Sequence, residues 1–367
     1  MNVTAAVTLT QGQNFELKTI TVQEPKDDEV QIEIVATGVC HTDAVARDLE
    51  GVVPLPAVLG HEGAGIVRQV GSAVKDVQIG DHVVLSFANC HHCEHCLTGH
   101  PTVCEEFNPL NFGGRLSDGH TPYYLDEQPL SVFFGQSSFS EIVVTKAKNV
   151  VVVDKEVDLS LLGPLGCGIQ TGAGTVLNHL RPKANSAIVI TGAGAVGLSA
   201  IMAAKIVGCY PIIAVDIHDH RLELAKELGA THTINGQKED TVAAIKKLTG
   251  SGALYAIETT GVAPVVKQAL ASVKPLGTVA IVGFTGEVCF NIQNELMAEG
   301  KQLVGVIEGD SIPRIFIPEL VRLYKQGQFP FDKLVQFYTL DQINEAFADS
   351  ESGKVIKPII KMPRHQN

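Results

Sequence analysis

The strand-like run Ala187–Thr191 passes without a break into Gly192-Ala193-Gly194-Ala195-Val196-Gly197 and on into the helix-like Leu198–Val207. Few architectures accept so tight a turn between an apolar strand and a helix. The first glycine permits the turn, the second lets backbone approach a pyrophosphate, and the third lets helix pack on strand. Unpaired N–H groups at the helix N-terminus then face the phosphates. Asp216 ends the next apolar run about twenty residues on, where a carboxylate meets the hydroxyls of an adenosine ribose. That carboxylate would accept both ribose hydroxyls and repel a 2′-phosphate, so the pattern implies NAD rather than NADP. The same stretch invites a membrane test, because Ser186 to Ala204 carries no charge and approaches the roughly 20 apolar residues of a bilayer span. Three glycines interrupt it and Lys205 ends it, which favours the nucleotide turn.

Around this motif, Ser186–Thr191, Pro211–Asp216, Tyr255–Thr259 and Val279–Gly283 are apolar, β-rich runs separated by helix-period segments such as Arg221–Leu228 and Thr241–Leu248. Strands alternating with helices predict a parallel, doubly wound sheet. The first 150 or so residues differ. Short strands punctuated by glycine, as in Gln31–Val35, Gly65–Val70, His82–Leu85 and Ile142–Val144, predict an all-β domain. A helical stretch, Ile315–Gln326, precedes a strand-like Val355–Ile360, and this tail is expected to return to the β domain. A chain of 367 residues exceeds one typical core. The expected division is 1–168 with 306–367 against 169–305.

A net charge of −12, from 28 basic and 40 acidic residues, argues against a nucleic-acid surface and fits small-molecule chemistry. Met1 to Lys18 lacks the basic segment and apolar core of a secretory signal, so a cytoplasmic location is expected. In that compartment eight cysteines are metal ligands or buried thiols rather than disulfides. Cys90, Cys93, Cys96 and Cys104 form C-x2-C-x2-C-x7-C in a loop of little apolar content. Four thiolates so spaced close a tetrahedral shell, which makes a structural zinc site. The ferredoxin run that could compete ends in x3-C-P instead. His91, His92, His95 and His100 lie nearby and read as solvated bystanders.

Gly60-His61-Glu62-Gly63-Ala64-Gly65 sets an imidazole beside a carboxylate just before a strand. By itself it says little. Taken with Gly38-Val39-Cys40-His41-Thr42-Asp43, the cysteine lobe, Gly166-Cys167-Gly168 and the glycine turn, its order and spacing resemble the medium-chain zinc alcohol dehydrogenases over essentially the whole chain. That resemblance implies a GroES-like β catalytic domain and a Rossmann coenzyme domain. Within the family, Phe133-Phe134-Gly135-Gln136-Ser137-Ser138-Phe139, Gly163-Pro164-Leu165-Gly166-Cys167-Gly168-Ile169-Gln170-Thr171 and Glu308-Gly309-Asp310 are most similar to the aryl-alcohol (benzyl-alcohol) and terpene-alcohol enzymes.

Carried over by position, the resemblance makes Cys40, His61 and Cys167 the ligands of a catalytic zinc, with a fourth place open for water or alcohol. Glu62 would stand behind the metal and ligate transiently. Asp43 would hold the other nitrogen of His61 and fix its tautomer. His41 matches a residue touching the pyrophosphate, Thr171 one meeting the nicotinamide, Arg221 a basic residue at the ribose, and Lys357 one reaching the phosphates from the tail. Thr42 matches the hydroxyl that relays the proton. Val45 stands where many members carry the histidine at the solvent end of that relay.

The implied reaction is oxidation of a primary alcohol, aromatic or allylic, to its aldehyde with hydride transfer to NAD, using two zinc ions per chain. Phe87 matches a pocket-lining position, although packing within the β domain would equally account for it. The expected partners are the small alcohol or aldehyde and further copies of the chain in a dimer or tetramer, with neither nucleic acid nor membrane. Two alternatives remain. One is a polyol or formaldehyde dehydrogenase on the same fold, against which Cys167 speaks because polyol enzymes usually carry a carboxylate there. The other is a non-catalytic nucleotide-binding relative.

Overall fold

The structure is a computed structural model and describes residues 1–363. The chain divides into two compact units: Met1–Cys167 with Ile312–Lys325 and the described residues from Asp332 onward, and Gly168–Ser311 with Gln326–Phe331.

The first unit is built on two sheets. One runs Ala57–Val58, Asn2–Thr8, Glu16–Val22, Tyr123–Leu125, Gln128–Pro129. The other runs Val150–Val152, His82–Leu85, Gly63–Val70, Glu29–Gly38, Lys357–Lys361, Val335–Thr339, and Ile142–Lys146 also pairs with Glu29–Gly38. Glu29–Gly38 is the hub because Val30, Ile32, Ile34 and Ala36 are buried and hydrophobic burial is what fixes strand register. It pairs antiparallel with Gly63–Val70 along one edge and with Ile142–Lys146 and Lys357–Lys361 along the other. The tail strand thus closes onto the N-terminal sheet. The expected all-β texture overlooked helices here, notably His41–Asp48, whose first turn is tied by Cys40 N–H donating to Asp43 Oδ2 at 3.1 Å.

The second unit carries a six-stranded sheet in the order His232–Asn235, Ile212–Asp216, Ile188–Thr191, Ala253–Glu258, Val273–Ile281, Gln302–Gly305. Every pairing is parallel. The central strands are buried on both faces, which is why they read as continuous Ile/Val/Ala runs. Strand order reverses between Ile188–Thr191 and Ala253–Glu258, the switch point at which such sheets bind ligands beyond their carboxyl ends. The helix Ala195–Val207 follows the first of these strands and is closed by Gly208 at φ 82°. Residues of the uncharged stretch 186–204 are thus consumed by a strand, a turn and part of a helix. No helix among the described residues is long and apolar enough to cross a membrane.

The chain leaves the second unit at Ile312, later than the expected position 306. The reason is local. Gln170 Nε2 donates to Glu308 Oε2 at 3.1 Å, and Asn178 Nδ2 donates to Gly309 O at 3.2 Å and Ser311 Oγ at 3.3 Å. These bonds hold 308–311 to the helical segment that opens the unit.

Candidate metal and nucleotide sites

Three strand ends of the first unit meet at one point. Thr37 lies opposite Gly63 and Ile359 opposite Gly38. Cys40, His61, Glu62 and Lys357 are therefore brought together by backbone pairing. Gly38 N–H donates to Glu62 O at 3.0 Å, and a Cβ on Gly38 would lie 1.9 Å from Glu62 Oε2. Only glycine fits that contact.

Candidate ligand atoms of Cys40, His61, Glu62 and Cys167 lie within 4.8 Å of one another. His61 is wholly buried, and its Nδ1 is 2.9 Å from Asp43 Oδ1. Asp43 is fixed in turn by the backbone N–H of Gly60 on Oδ1 and of Cys40 on Oδ2, each at 3.1 Å. A carboxylate so placed keeps the proton on Nδ1 and leaves Nε2 with its lone pair. Nε2 is buried and finds no hydrogen-bond partner among the described residues. A buried imidazole nitrogen facing two thiols is a donor set suited to zinc. The Cys40 thiol is held well below the ordinary thiol value by its hydrogen bond with Cys167, against the opposing effect of burial and with help from His61. Burial raises the Glu62 carboxyl to about 7, although Lys357 pulls the other way. Cys40 Sγ lies 3.7 Å from Thr42 Oγ1.

Lys357 departs from its expected role at the phosphates. It is buried, and its Nζ donates to Glu62 Oε1 at 2.9 Å, Glu62 Oε2 at 3.0 Å and Val39 O at 3.0 Å. All three ammonium protons are committed, so none is left for a pyrophosphate.

Two features of the site escaped the motif reading. The buried amide of Gln136 donates from Nε2 to His61 O at 2.9 Å and Ser86 O at 3.3 Å, and its Oε1 accepts from Gly63 N–H at 3.2 Å. It clamps the backbone on both sides of Glu62. Phe134 stacks on the His61 ring at a centroid distance of 4.5 Å, and Phe133 meets it edge-on at 5.6 Å. The segment 133–139 carries part of the family resemblance, and the contact of Phe133 and Phe134 with His61 is its physical content. Phe87 is buried in the β core against Phe107, with ring centroids 5.7 Å apart. Packing accounts for it.

The sulfur atoms of Cys90, Cys93, Cys96 and Cys104 also lie within 4.8 Å of one another. Backbone N–H groups point at them: Cys93 N to Cys90 Sγ and Cys90 N to Cys104 Sγ at 3.3 Å, Glu106 N to Cys104 Sγ at 3.4 Å. Such donors favour thiolates over thiols. All eight cysteines are free. His92 turns its Nδ1 to Cys90 O at 2.9 Å, and the tetrad is completed by sulfur alone.

In the second unit Gly192 has φ 91°, and a Cβ there would come within 2.5 Å of Thr259 Oγ1; a Cβ on Gly197 would lie 1.8 Å from Gly192 O. Gly194 is different, for a Cβ there would meet nothing within 4 Å. It opens the helix Ala195–Val207, whose first N–H groups receive no side-chain cap among the described residues. Asp216 accepts from Ala193 N–H at 2.6 Å on Oδ2, and from Ile217 and His218 N–H at 2.8 and 2.9 Å on Oδ1. The carboxylate thus fastens the glycine turn as well as standing at the strand end. Arg221 lies on the helix Asp219–Leu228. Thr171 is buried, and its hydroxyl lies 3.4 Å from Glu308 Oε2. His41 is exposed at the start of its helix.

Residues 26–155 match the alcohol dehydrogenase GroES-like domain family and residues 195–326 the zinc-binding dehydrogenase family. The chain belongs to the zinc-type medium-chain alcohol dehydrogenases. It is 44% identical to a geraniol dehydrogenase of Castellaniella defragrans, covering 97% of this chain and 96% of that one. The crystal structure of a benzyl alcohol dehydrogenase from Acinetobacter calcoaceticus is 49% identical, with a TM-score of 0.95 over 99% of this chain and 100% of that one. An alcohol dehydrogenase zinc-binding domain protein from Burkholderia ambifaria, also 49% identical, gives 0.96 over the same shares. The GroES-like unit of the dehydrogenase accordingly carries both clusters of candidate metal ligands, and its Rossmann unit carries the glycine turn.

Proposed function

We propose that this dehydrogenase oxidises a primary aromatic or allylic alcohol to its aldehyde with NAD, using a catalytic and a structural zinc in each chain. The observation that carries the reading is His61 Nε2, buried and without a hydrogen-bond partner among the described residues beside Cys40 and Cys167. Cys40, His61 and Cys167 would hold the catalytic metal; Cys90, Cys93, Cys96 and Cys104 would hold the structural one.

When bound, the catalytic zinc supplies a Lewis acid that lowers the pKa of a hydroxyl, and NAD supplies the hydride acceptor. The chain does the rest. Asp43 holds Nδ1–H of His61 and so keeps Nε2 a lone-pair donor. Thr42 Oγ1, next to Cys40 Sγ, takes the proton released by the alcohol. Val45 offers no imidazole beyond it, so the proton leaves to water. Phe133 and Phe134 give the His61 side of the site an apolar, aromatic wall suited to an unsaturated alcohol. Gly192 N–H is committed to Val215 O at 2.8 Å and shapes the turn, while Gly194 and the N-terminus of the helix Ala195–Val207 would present backbone N–H groups to the pyrophosphate. Asp216 has lone pairs beyond those used by three backbone donors and takes the ribose hydroxyls, selecting NAD over NADP. The geraniol and benzyl alcohol dehydrogenases at 44% and 49% identity support the substrate class.

Metal analysis is expected to return two zinc ions per chain, and NAD reduction to favour benzyl and allylic alcohols over ethanol in kcat/KM by at least about tenfold. Comparable values for ethanol and benzyl alcohol would overturn the substrate class. Thr42→Ala is expected to abolish most activity, and Val45→His to add a titrating group to the pH profile with modest change in rate. A collapse of activity in His41→Gln that added imidazole restores would refute exit to water.

A further inference from the structure

The helix Gly168–Gly174 opens the second unit and lies against the start of the helix Ala195–Val207, so closely that a Cβ on Gly172 would fall 1.9 Å from Val196 O. The turn Glu308–Asp310 presses on the same helix: a Cβ on Gly309 would lie 2.4 Å from Gln170 O. Glu308, Gly309 and Asp310 have φ of 48°, 65° and 49°. Two of the three carry side chains, for which this left-handed region is costly and is held only by its surroundings. Glu308 is buried there, and its Oε2 accepts from Gln170 Nε2 at 3.1 Å and from Thr171 Oγ1 at 3.4 Å. The strained turn thus sets a buried carboxylate beside the first turn of the dinucleotide helix.

Thr171 has one hydroxyl proton and directs it to Glu308, so it meets a ligand with lone pairs. Carboxylate and hydroxyl together make an acceptor pair of negative charge. Its place in the sheet says which part of a dinucleotide it meets. Asp216 ends a strand on one side of the switch point. On the other side Val306 N–H still pairs with Ile281 O at 3.0 Å, and Glu308 follows two residues later. A dinucleotide that lies across the carboxyl ends with its adenosine ribose at Asp216 sets its second nucleotide on the side of Glu308. In NAD the base of that nucleotide is a pyridinium cation when oxidised and neutral once it has taken up hydride. A fixed carboxylate in a buried site distinguishes those two states.

We propose that Glu308 sets the preference of this site for the oxidised over the reduced coenzyme, its charge favouring the cationic nicotinamide while it holds Thr171 as an acceptor. The proposal rests on the NAD reading above and deepens it. Hydride arriving at the ring cancels the positive charge, and the attraction to Glu308 goes with it. NAD is therefore held and NADH released more readily.

Calorimetric titration of the zinc-loaded protein, in the absence of alcohol, with NAD, NADH and ADP-ribose tests this, because ADP-ribose lacks the nicotinamide ring. Glu308→Gln keeps the shape of the side chain and removes its charge. It is expected to weaken NAD about tenfold while NADH and ADP-ribose change by less than about twofold. Gln170→Lys, which sets an ammonium against the same carboxylate, is a second route to the same selective loss. A uniform loss of all three ligands in both variants makes the cluster structural support and overturns the proposal. Equal weakening of NAD and NADH with ADP-ribose unchanged, or no change at all, overturns the role of the charge. A parent protein that binds none of the three fails the coenzyme reading itself, and the role of Glu308 falls with it.

Discussion

Lys357 Nζ rests 2.9 and 3.0 Å from the two carboxylate oxygens of Glu62, a pair separated by 295 positions in sequence and buried from solvent. A buried pair gains little over apolar residues of similar volume, but loss of one partner strands the other charge. Lys357→Met is therefore expected to destabilise the protein by about 3–5 kcal/mol, and adding Glu62→Gln to recover part of that loss. Denaturant unfolding of the two single variants and the double variant checks it; strictly additive losses would contradict the pairing.

Gln136→Leu should cost stability and metal together. The substitution leaves His61 O, Ser86 O and Gly63 N–H without their side-chain partner, at about 1–3 kcal/mol for each group that finds no other. The loop bearing His61 then loses its clamp. Lower melting temperature and lower zinc content in the same variant are the expected result; a normal zinc content would limit Gln136 to packing.

Cys104→Ala removes one of the four sulfurs proposed to hold the structural zinc and two accepted backbone hydrogen bonds, from Cys90 and Glu106 N–H. Metal affinity at such sites is folding free energy. Loss of one zinc equivalent and a lowered melting temperature are expected, with residual turnover at permissive temperature. Retention of both would remove the structural role of the lobe.

Asp216→Asn keeps the shape of the side chain and removes its charge. Weaker NAD binding and reduced discrimination against NADP are expected, measured as the ratio of dissociation constants. The alanine variant should also lose stability, because Ala193, Ile217 and His218 N–H would all lose their acceptor. An unchanged NAD to NADP ratio in Asp216→Asn would shift selection to Arg221.

Asp118 lies between His120 and the lysines Lys26 and Lys146. Its carboxyl is held well below the usual carboxylate range: burial works against this, and the hydrogen bonds from His120 and Lys26 with the charge of Lys146 prevail. A depressed folded-state value means the network contributes stability above the unfolded carboxylate value near 3.9 and loses it as pH falls below. Asp118→Asn is expected to flatten the acid limb of the stability curve. An unchanged limb would show that the network is solvent-screened.

The glycine turn, the cysteine tetrad and the His61 segment were legible because their determinants are local: a φ that glycine supplies, a ligand spacing, a strand beginning. Lys357 was misplaced for the opposite reason. A lysine before Pro358 in an isolated tail looks like surface, and only the pairing of Ile359 with Gly38 delivers it to Glu62. Gln136 was visible as part of a marker segment, yet its partners are backbone groups of two other segments, which no side-chain pattern encodes. The domain return at Ile312 depended on Glu308, whose partners Gln170 and Thr171 sit across the whole Rossmann unit in sequence.

Gly194 stands apart from its two neighbouring glycines, because the space its missing Cβ would fill touches no atom of the protein. Its φ of −82° and ψ of −170° suit any residue. The fold asks of this position only a helix N-cap, which glycine supplies, and no packed neighbour claims the space of its missing side chain. A valine at 194 is expected to keep the architecture at the modest cost of a poorer helix cap, while its side chain fills the space from which the proposed dinucleotide would be met: a near twin in which whatever the protein does without a coenzyme can be observed alone.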